Sequence, residues 1–257
     1  MKAPREIKMI QFSSRSMFLS SFLMIAFCIV PIRASAVPVQ GRVWVVAQND
    51  PHASDQGAGT AEEPFKTISQ AALLAQPGDQ VLVHAGVYRE RVAPVRGGEE
   101  GLPITYTAAS GESVVVRGSE VLRGPFLAVN QSTSTYTAKL DPAVLPGENP
   151  YATRANGLPG HKTLGQIFVD GIPFLEADDA AQLRTMQSSW MAANDGLSVL
   201  IHFPRQMGNP SQHLVEYSVR DRAFAPYIRG LGYITVRGFT FEHCANHGLN
   251  SFWEANG

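Results

Sequence analysis

The pattern of apolar and polar positions changes twice along the chain and so divides it into three stretches. In the first stretch, apolar residues come in short runs bounded by Gly, Pro or Ser, and these runs predict strands. The predicted strands are residues 44–47, 81–84, 87–92, 104–108 and 114–117. Several runs, such as Val114-Val115-Val116, do not alternate strictly, as is expected of parallel strands packed on both faces. This stretch therefore predicts a stack of short parallel strands.

A short amphipathic helix is predicted between the first two of these strands. Phe65, Ile68, Ala72 and Ala75 are three, four and three positions apart, which places them on one helical face. Pro77 would end the helix. A helix with one apolar face at the start of a solenoid can cover the otherwise open end of the core, so we expect it to act as a cap.

The second stretch, from about residue 120 to 225, has longer segments and a hairpin pattern. Asp170-Gly171 stands between two apolar runs, which is a strong signal for a β-hairpin. Further strands are predicted at 199–203 and 214–219, and a short helix at 178–186. We interpret this stretch as a small antiparallel sandwich inserted into the solenoid.

The short-strand pattern returns at residues 233–239. Val236-Arg237-Gly238 repeats the tripeptide Val116-Arg117-Gly118, and we expect each copy to end a strand with the same tight glycine turn. The predicted organisation is thus a signal peptide followed by three parts of one fold. The boundaries are 1–36 for the signal, 37–119 for the cap and first coils, 120–225 for the sandwich, and 226–257 for the resumed coils.

The first 36 residues have the pattern of a secretory signal peptide. A basic region ends at Arg15, residues 17–32 are apolar apart from two serines, and Ala34-Ser35-Ala36 is a small-x-small cleavage site. The alternative is a membrane anchor, but the run is short for a bilayer span of about 20 apolar residues. We therefore expect cleavage before Val37, secretion to the periplasm or the extracellular space, and no membrane association afterwards.

Net charge limits the classes of binding partner, and cysteine content limits the disulfides. Removing the signal takes five of 21 basic and one of 22 acidic residues, so the net charge changes from −1 to −5. Nucleic acids and anionic membranes are disfavoured because both need basic surfaces. An anionic sugar can still bind in a local basic cleft. Cys28 leaves with the signal, which leaves Cys244 without an intrachain disulfide partner.

With these segments in place, the chain resembles the secreted right-handed parallel β-helix glycoside hydrolases, particularly the β-xylosidase-like group with an inserted β-sandwich. The fold class implied is all-β, a pectate-lyase-like right-handed parallel β-helix with a helical cap. The segments that carry the resemblance are Gly59-Thr60 with residues 64–68, residues 78–90 and 103–109, Asn149-Pro150-Tyr151, Leu214-Val215-Glu216, and residues 233–239. The opening motif occurs in many β-helix proteins, whereas the order of motifs around the insertion is more specific.

The resemblance implies hydrolysis with retention by two carboxyl groups, which must lie about 5 Å apart. In this group they lie on later coils, which would fall beyond residue 257, so we assign no catalytic residue and expect the chain to be the inactive amino-terminal part of such an enzyme. Two alternatives stay open, a polysaccharide lyase of the β-helix type and a noncatalytic glycan-binding module. The partner expected in each case is a polysaccharide or oligosaccharide, with no cofactor.

The densest polar cluster, residues 242–247, follows a predicted strand and is a candidate sugar subsite. His243, Asn246 and His247 would hydrogen-bond sugar hydroxyls, and Trp253 would stack on a ring. The alternative is a turn whose polar groups face water. A metal site is not predicted, because no second pair of ligands accompanies the histidines.

Other polar and aromatic residues are interpreted as structural. The alternating charges Arg89, Glu90 and Arg91 suggest a solvated strand edge, and His84 a packed, hydrogen-bonded histidine. Asp178-Asp179 suggests exposed charges at a helix start. Trp44 and Trp190 are expected in the core or at an interface.

Overall fold

A computed structural model describes residues 41–130, 134–145, 147–153 and 162–245, and these residues are mostly β-structure with few helices. The strands are β1 (Val43–Val46), β2 (Gln80–Val83), β3 (Gly86–Tyr88), β4 (Ile104–Ala108), β5 (Val114–Arg117), β6 (Ser119–Val121), β7 (Leu127–Asn130), β8 (Thr135–Lys139), β9 (Ile167–Val169), β10 (Ile172–Glu176), β11 (Ser189–Ala192), β12 (Ser198–His202), β13 (Val215–Ser218), β14 (Ile234–Arg237) and β15 (Phe239–Glu242). The α-helices are α1 (Ile68–Leu74) and α2 (Ala180–Thr185). The predicted signal peptide lies outside the described residues, and within them no helix is long and apolar enough to cross a bilayer.

Two parallel sheets contain the strands at both ends of the described chain. The first has the order β1-β2-β4-β14 and the second the order β15-β5-β3. Successive strands alternate between the sheets, since β2, β4 and β14 lie in the first and are each followed by a strand of the second. Trp44, Val81, Tyr106 and Val236 form one row across the first sheet. The predicted parallel pairing is therefore present, and strands 125 to 130 residues apart in sequence lie side by side.

Helix α1 packs on the first sheet through the predicted apolar face. Ile68, Ala71 and Ala72 are buried against β1 and β2 in one core. Thr67 caps the helix, because its Oγ1 accepts a hydrogen bond from the Gln70 amide at 3.2 Å. Phe65, predicted on the same face, precedes the helix and pairs with β1 instead.

The residues between β5 and β14 form an eight-stranded sheet with the order β6-β13-β9-β10-β11-β12-β8-β7. All its pairings are antiparallel except that of β10 with β11. The predicted hairpin is confirmed: β9 and β10 pair antiparallel around Asp170 and Gly171, whose φ angles are 50° and 80°. Both angles are positive, as the tight turn that follows the strand twist requires.

Two hydrophobic clusters correspond to the two kinds of sheet. The first includes Trp44 and Phe65, whose rings stack at 5.6 Å. The second includes Trp190 and Tyr151, whose rings meet edge to face at 5.6 Å. Trp44 and Trp190 are 8% and 1% exposed, which confirms their predicted place in the core.

The start of helix α2 confirms the prediction for Asp179. Its carboxylate accepts hydrogen bonds from the Ala181 and Gln182 amides, both at 2.8 Å, and the side chain is exposed. Asp178 differs in that it is half-buried and pairs with Lys162 at 2.9 Å. The helix is thus capped by one predicted carboxylate, while the other is used in an ion pair.

The two copies of the Val-Arg-Gly tripeptide do not occupy equivalent positions in the fold, contrary to the prediction. Arg117 ends β5 in the second sheet, whereas Arg237 ends β14 in the first. Gly238 has a φ of 77°, but Gly118 does not have a positive φ. At Gly118 the constraint is space, because a Cβ there would lie 2.8 Å from the Cα of Cys244. The expectation of one shared glycine turn is therefore wrong.

Candidate functional site

His243 is the described member of the predicted sugar subsite; Asn246, His247 and Trp253 lie outside the described residues. It follows β15 directly and has a φ of 58°. Its ring stacks on Phe168 of β9, with 3.8 Å between centroids and 13° between planes, and its side chain is 8% exposed. His243 thus lies in a wall between the two kinds of sheet, with little surface left for a ligand. Its contact with a sugar stays a prediction.

The second sheet places a row of charges beside this histidine. Arg117 of β5 is opposite Glu242 of β15, and Tyr88 of β3 is opposite Val116, so that Arg89 follows at the same level. The carboxyl ends of parallel strands meet at one edge of a sheet, and three strands therefore bring these charges together.

Glu216 of β13 lies against this row and is fully buried. Arg89 Nη1 donates to its Oε1 at 2.5 Å, and Arg117 Nη1 donates to its Oε2 at 2.9 Å. The Ser119 hydroxyl donates to Oε1 at 3.0 Å. Arg117 also donates from Nε to Glu242 at 2.6 Å, so one guanidinium links both carboxylates. A buried carboxylate is stable only with such partners.

These partners keep Glu216 ionised. Burial raises the pKa of the Glu216 carboxyl, but His243, Arg89 and Ser119 outweigh burial and lower that pKa to about 2. His243 Nδ1 is 3.5 Å from Oε2, which is long for a hydrogen bond, so its contribution is mostly that of a nearby donor group. Because Glu216 is ionised and inaccessible, it can neither donate a proton to a substrate nor attack one. Its role is to hold β13 on the strand ends.

The prediction that Arg89, Glu90 and Arg91 form a solvated strand edge is wrong. The Arg89 and Arg91 side chains are only 20% and 16% exposed, and each has an acidic partner from the later part of the chain. Glu90 accepts the first two amides of α1, from Ile68 at 2.9 Å and Ser69 at 2.8 Å. Burial raises the pKa of Glu90. The three charges therefore fix a helix and a strand instead of facing water.

A cleft of about 590 Å³ opens beside this cluster, and we call it the aromatic cleft. It is lined by Gln166, Phe168, Ala223, Phe224, Phe241, Glu242, His243 and Cys244. Phe241 is 42% exposed, and the Glu242 side chain is 31% exposed. Glu242 is the one acidic side chain among the described lining residues. Apolar ring surface beside a few fixed polar groups is typical of a small-molecule site.

His84 forms a second polar feature near a separate cleft that includes Asp50. Its Nδ1 is 3.0 Å from Glu112, and the Ala85 amide donates to the same carboxylate at 2.6 Å. The predicted hydrogen-bonded histidine is therefore present, although its side chain is 39% exposed. These bonds, the one from Ala85 first, lower the pKa of Glu112. Within the described ranges, no three His, Cys, Asp or Glu side chains group as metal ligands.

Comparisons with known proteins find a matching family model, a similar protein from Bacillus subtilis (strain 168) and similar solved structures. A family described as "Protein of unknown function (DUF1565)" matches residues 52–134. The uncharacterized protein YwoF of Bacillus subtilis (strain 168) is 36% identical over 76 residues, which are 30% of this chain and 16% of YwoF. The family match therefore includes the first parallel strands from β2 to β5.

The solved structure of XylC in complex with xylose is similar over 79% of this chain, with 32% identity and a TM-score of 0.68. A glycoside hydrolase structure is similar over the same share at 12% identity and a TM-score of 0.55, which shows the fold alone. The chain spans 36% of the XylC chain and 51% of the glycoside hydrolase chain. XylC was solved with xylose, and the second structure is that of a glycoside hydrolase.

Proposed function

We propose that the chain is part of a secreted glycoside hydrolase of the xylosidase-like, retaining type, and that its aromatic cleft binds a sugar residue. The similarity to XylC, which was solved with xylose, carries this proposal, because it combines 32% identity with coverage of 79% of this chain. The cleft adds independent support from its own chemistry.

The fold that we propose for this protein is a right-handed parallel β-helix with an inserted β-sandwich. Strands that alternate between two parallel sheets support the β-helix, since each return of the chain adds one strand to each sheet. The separate core of the eight-stranded sheet supports the insertion. β6 and β13 pair antiparallel at its base, so the chain enters and leaves the insertion at neighbouring positions.

Sugar binding in the aromatic cleft uses three kinds of group. Phe241 offers an exposed ring face, on which the apolar face of a pyranose can stack. Glu242 can accept from a sugar hydroxyl while its other contact, with Arg117 at 2.6 Å, holds it in place. Gln166 is fixed by a hydrogen bond from its Nε2 to the Cys244 carbonyl at 3.1 Å, which leaves its amide oxygen as an acceptor.

The retaining reaction needs a carboxylate nucleophile and a carboxylic acid about 5 Å apart. Glu242 is the one acid among the described residues of the cleft, and Glu216 behind it is sealed from solvent. We therefore place the catalytic pair outside the described residues and assign the described cleft to substrate binding. No residue of the 257-residue chain is assigned a catalytic role from the sequence, so this chain is expected to bind sugar without turning over an aryl xyloside.

Binding is tested by NMR titration of the purified chain with xylose and xylobiose. Phe241→Ala should weaken binding about three- to tenfold through loss of stacking, and Glu242→Gln should weaken it through loss of the charged acceptor. Leu127→Ala and Glu62→Gln are the controls, since Leu127 is 60% exposed and neither residue lines the cleft. Equal affinity in all four variants, or no binding by the wild type, would contradict the proposal.

Product analysis of the longer protein separates the alternatives. A hydrolase releases reducing sugar without unsaturated ends, whereas a lyase produces unsaturated ends. Saturable binding without turnover would favour a noncatalytic glycan-binding module. Turnover of an aryl xyloside by the 257-residue chain alone would contradict the expectation that this chain is inactive.

Secretion is proposed from the amino-terminal pattern and is tested separately. The processed protein should be found outside the cytoplasm with Val37 as its first residue. Amino-terminal sequencing of the exported protein measures this directly, and an intact Met1 would contradict it.

A further inference from the structure

A second cleft of about 680 Å³ lies next to the aromatic cleft, and we call it the arginine cleft. It is formed by residues 224–231 together with Arg91 and Arg222. Its described lining contains three arginines and no acidic residue. In a chain whose acidic residues outnumber its basic ones, this is a local concentration of positive charge. A cleft of one charge sign attracts ligands of the opposite sign.

Two of the arginines are held in place by the same carboxylate. Arg91 Nη1 is 3.0 Å from Asp221 Oδ1, and Arg222 Nη1 is 3.7 Å from Asp221 Oδ2. Arg91 also donates from Nε to the Ala225 carbonyl at 3.4 Å. Arg229 differs from both: it is exposed and has no ion pair among the described residues. The cleft thus has a fixed positive wall and one arginine available to a ligand.

Tyr227 supplies a ring beside these charges. The Arg91 guanidinium lies 4.0 Å from the Tyr227 centroid and covers part of one face. The residue is nevertheless 76% exposed, so most of its surface remains open to a ligand. An exposed aromatic ring next to arginines suits a ligand that is both a sugar and an anion, because stacking and bidentate pairing can act on it together.

The two clefts meet at Phe224, which lines both. Its ring contacts Phe241 of the aromatic cleft at 6.0 Å between centroids. One oligosaccharide can therefore place a sugar residue against Phe241 and a neighbouring substituent against Arg229.

We propose that the arginine cleft binds the carboxylate of a uronic acid carried by the saccharide that occupies the aromatic cleft. This inference rests on the proposed function, since it assigns an acidic branched saccharide to the same binding surface. The carboxylate pairs with Arg229, and the fixed Arg91 and Arg222 add a favourable field. The uronic acid ring lies against Tyr227.

The test compares two ligands by isothermal titration calorimetry of the full chain at low salt: xylotriose, and xylotriose bearing one glucuronic acid. The acidic ligand should bind up to about fivefold more tightly, as expected for an exposed ion pair. This preference should decrease as NaCl is added, because salt screens exposed charges. Inorganic phosphate is the competitor that distinguishes a uronic acid site from an unselective anion site.

Three variants make the result specific. Arg229→Gln should abolish the preference for the acidic ligand, and Arg229→Lys should keep part of it, because lysine retains the charge but not the bidentate pairing. Arg184→Gln, at the end of α2 and outside both clefts, should behave as the wild type. All should bind unsubstituted xylotriose equally. Equal affinity of the wild type for the two ligands, or displacement of the acidic ligand by equimolar phosphate, overturns the inference. A wild type that fails to bind unsubstituted xylotriose contradicts the proposed function instead.

Discussion

Arg117 at the end of β5 donates a hydrogen bond to the fully buried Glu216 of β13 at 2.9 Å, across 99 positions of sequence. The pair joins a strand of the second parallel sheet to a strand of the antiparallel sheet. Arg89 binds the other oxygen of Glu216, so two neighbouring strands of the parallel sheet hold the same carboxylate. The two kinds of sheet are therefore fixed to each other by charge as well as by apolar packing.

Glu216→Gln should strongly destabilise the fold. The amide keeps the shape of the side chain but leaves Arg89 and Arg117 next to an uncharged, partly donating group. Loss of one partner from a buried ion pair costs about 3 kcal/mol. The free energy of unfolding should decrease by that order in a urea titration. Glu62→Gln is the matched control, because Glu62 is exposed and should change stability little. A loss below about 1 kcal/mol would show that the pair adds nothing beyond packing.

The pH dependence of stability should reflect the lowered pKa of Glu216. Its pKa is about 2 in the folded protein against an ordinary value of 4.5. A lowered pKa in the folded state means that the unfolded chain binds the proton more readily. The stabilisation that the ionised Glu216 provides is therefore complete above pH 4.5 and is lost as the pH falls towards about 2.

The difference between wild type and Glu216→Gln measures this effect. The difference in unfolding free energy should be constant from about pH 7 to about 5 and should shrink between pH 4.5 and about 2. Other carboxyl groups cancel in the comparison. A difference that stays constant down to about pH 2 would mean that Glu216 has an ordinary pKa.

The hairpin between β9 and β10 should depend on Gly171 for its backbone conformation. Its φ is 80°, and no atom of the described residues lies within 4 Å of the place that a Cβ would occupy, so only the backbone opposes a side chain there. Gly171→Ala should cost about 1–2 kcal/mol in the free energy of unfolding. Gly232→Ala is the control, since that position also has open space but no positive φ, and it should be neutral or slightly stabilising. Equal effects in the two variants would contradict this explanation.

The parts of the fold that the sequence predicts are those with local signals. The Asp170-Gly171 turn and the apolar face of α1 each depend on residues within a few positions of one another, and both are present. The strand of predicted range 87–92 ends earlier, at Tyr88, and the next side chain, Arg89, pairs with Glu216.

The charge cluster was not predictable, because its partners come from distant segments. Arg89 and Glu216 are 127 positions apart, and the alternating charges of residues 89–91 have the local pattern of a solvated edge. The packing of His243 on Phe168 depends in the same way on where β9 lies. A partial signal existed: Arg117 and Glu242 each end a strand of the parallel pattern, but only the register places them opposite each other.

The turn before β2 provides the last prediction. Asp79 is 6% exposed, and its two oxygens accept three N–H groups. Oδ1 accepts the Arg42 amide at 2.7 Å, while Oδ2 accepts the Gln76 amide at 2.8 Å and the Trp44 indole at 2.9 Å. In Asp79→Asn one of these positions becomes an NH₂ group, which cannot accept, so at least one buried donor loses its partner.

We therefore expect Asp79→Asn to reduce the free energy of unfolding by about 1–3 kcal/mol, as for other buried donors left unsatisfied. Asp141→Asn is the control, since exposed Asp141 accepts a single amide through Oδ1, which the Asn oxygen can replace. Trp44 fluorescence should shift in Asp79→Asn but not in Asp141→Asn, because only Asp79 contacts the indole and loses its charge there. An Asp79→Asn variant as stable as the control would show that the turn is held by its Pro77-Gly78 backbone and not by the carboxylate.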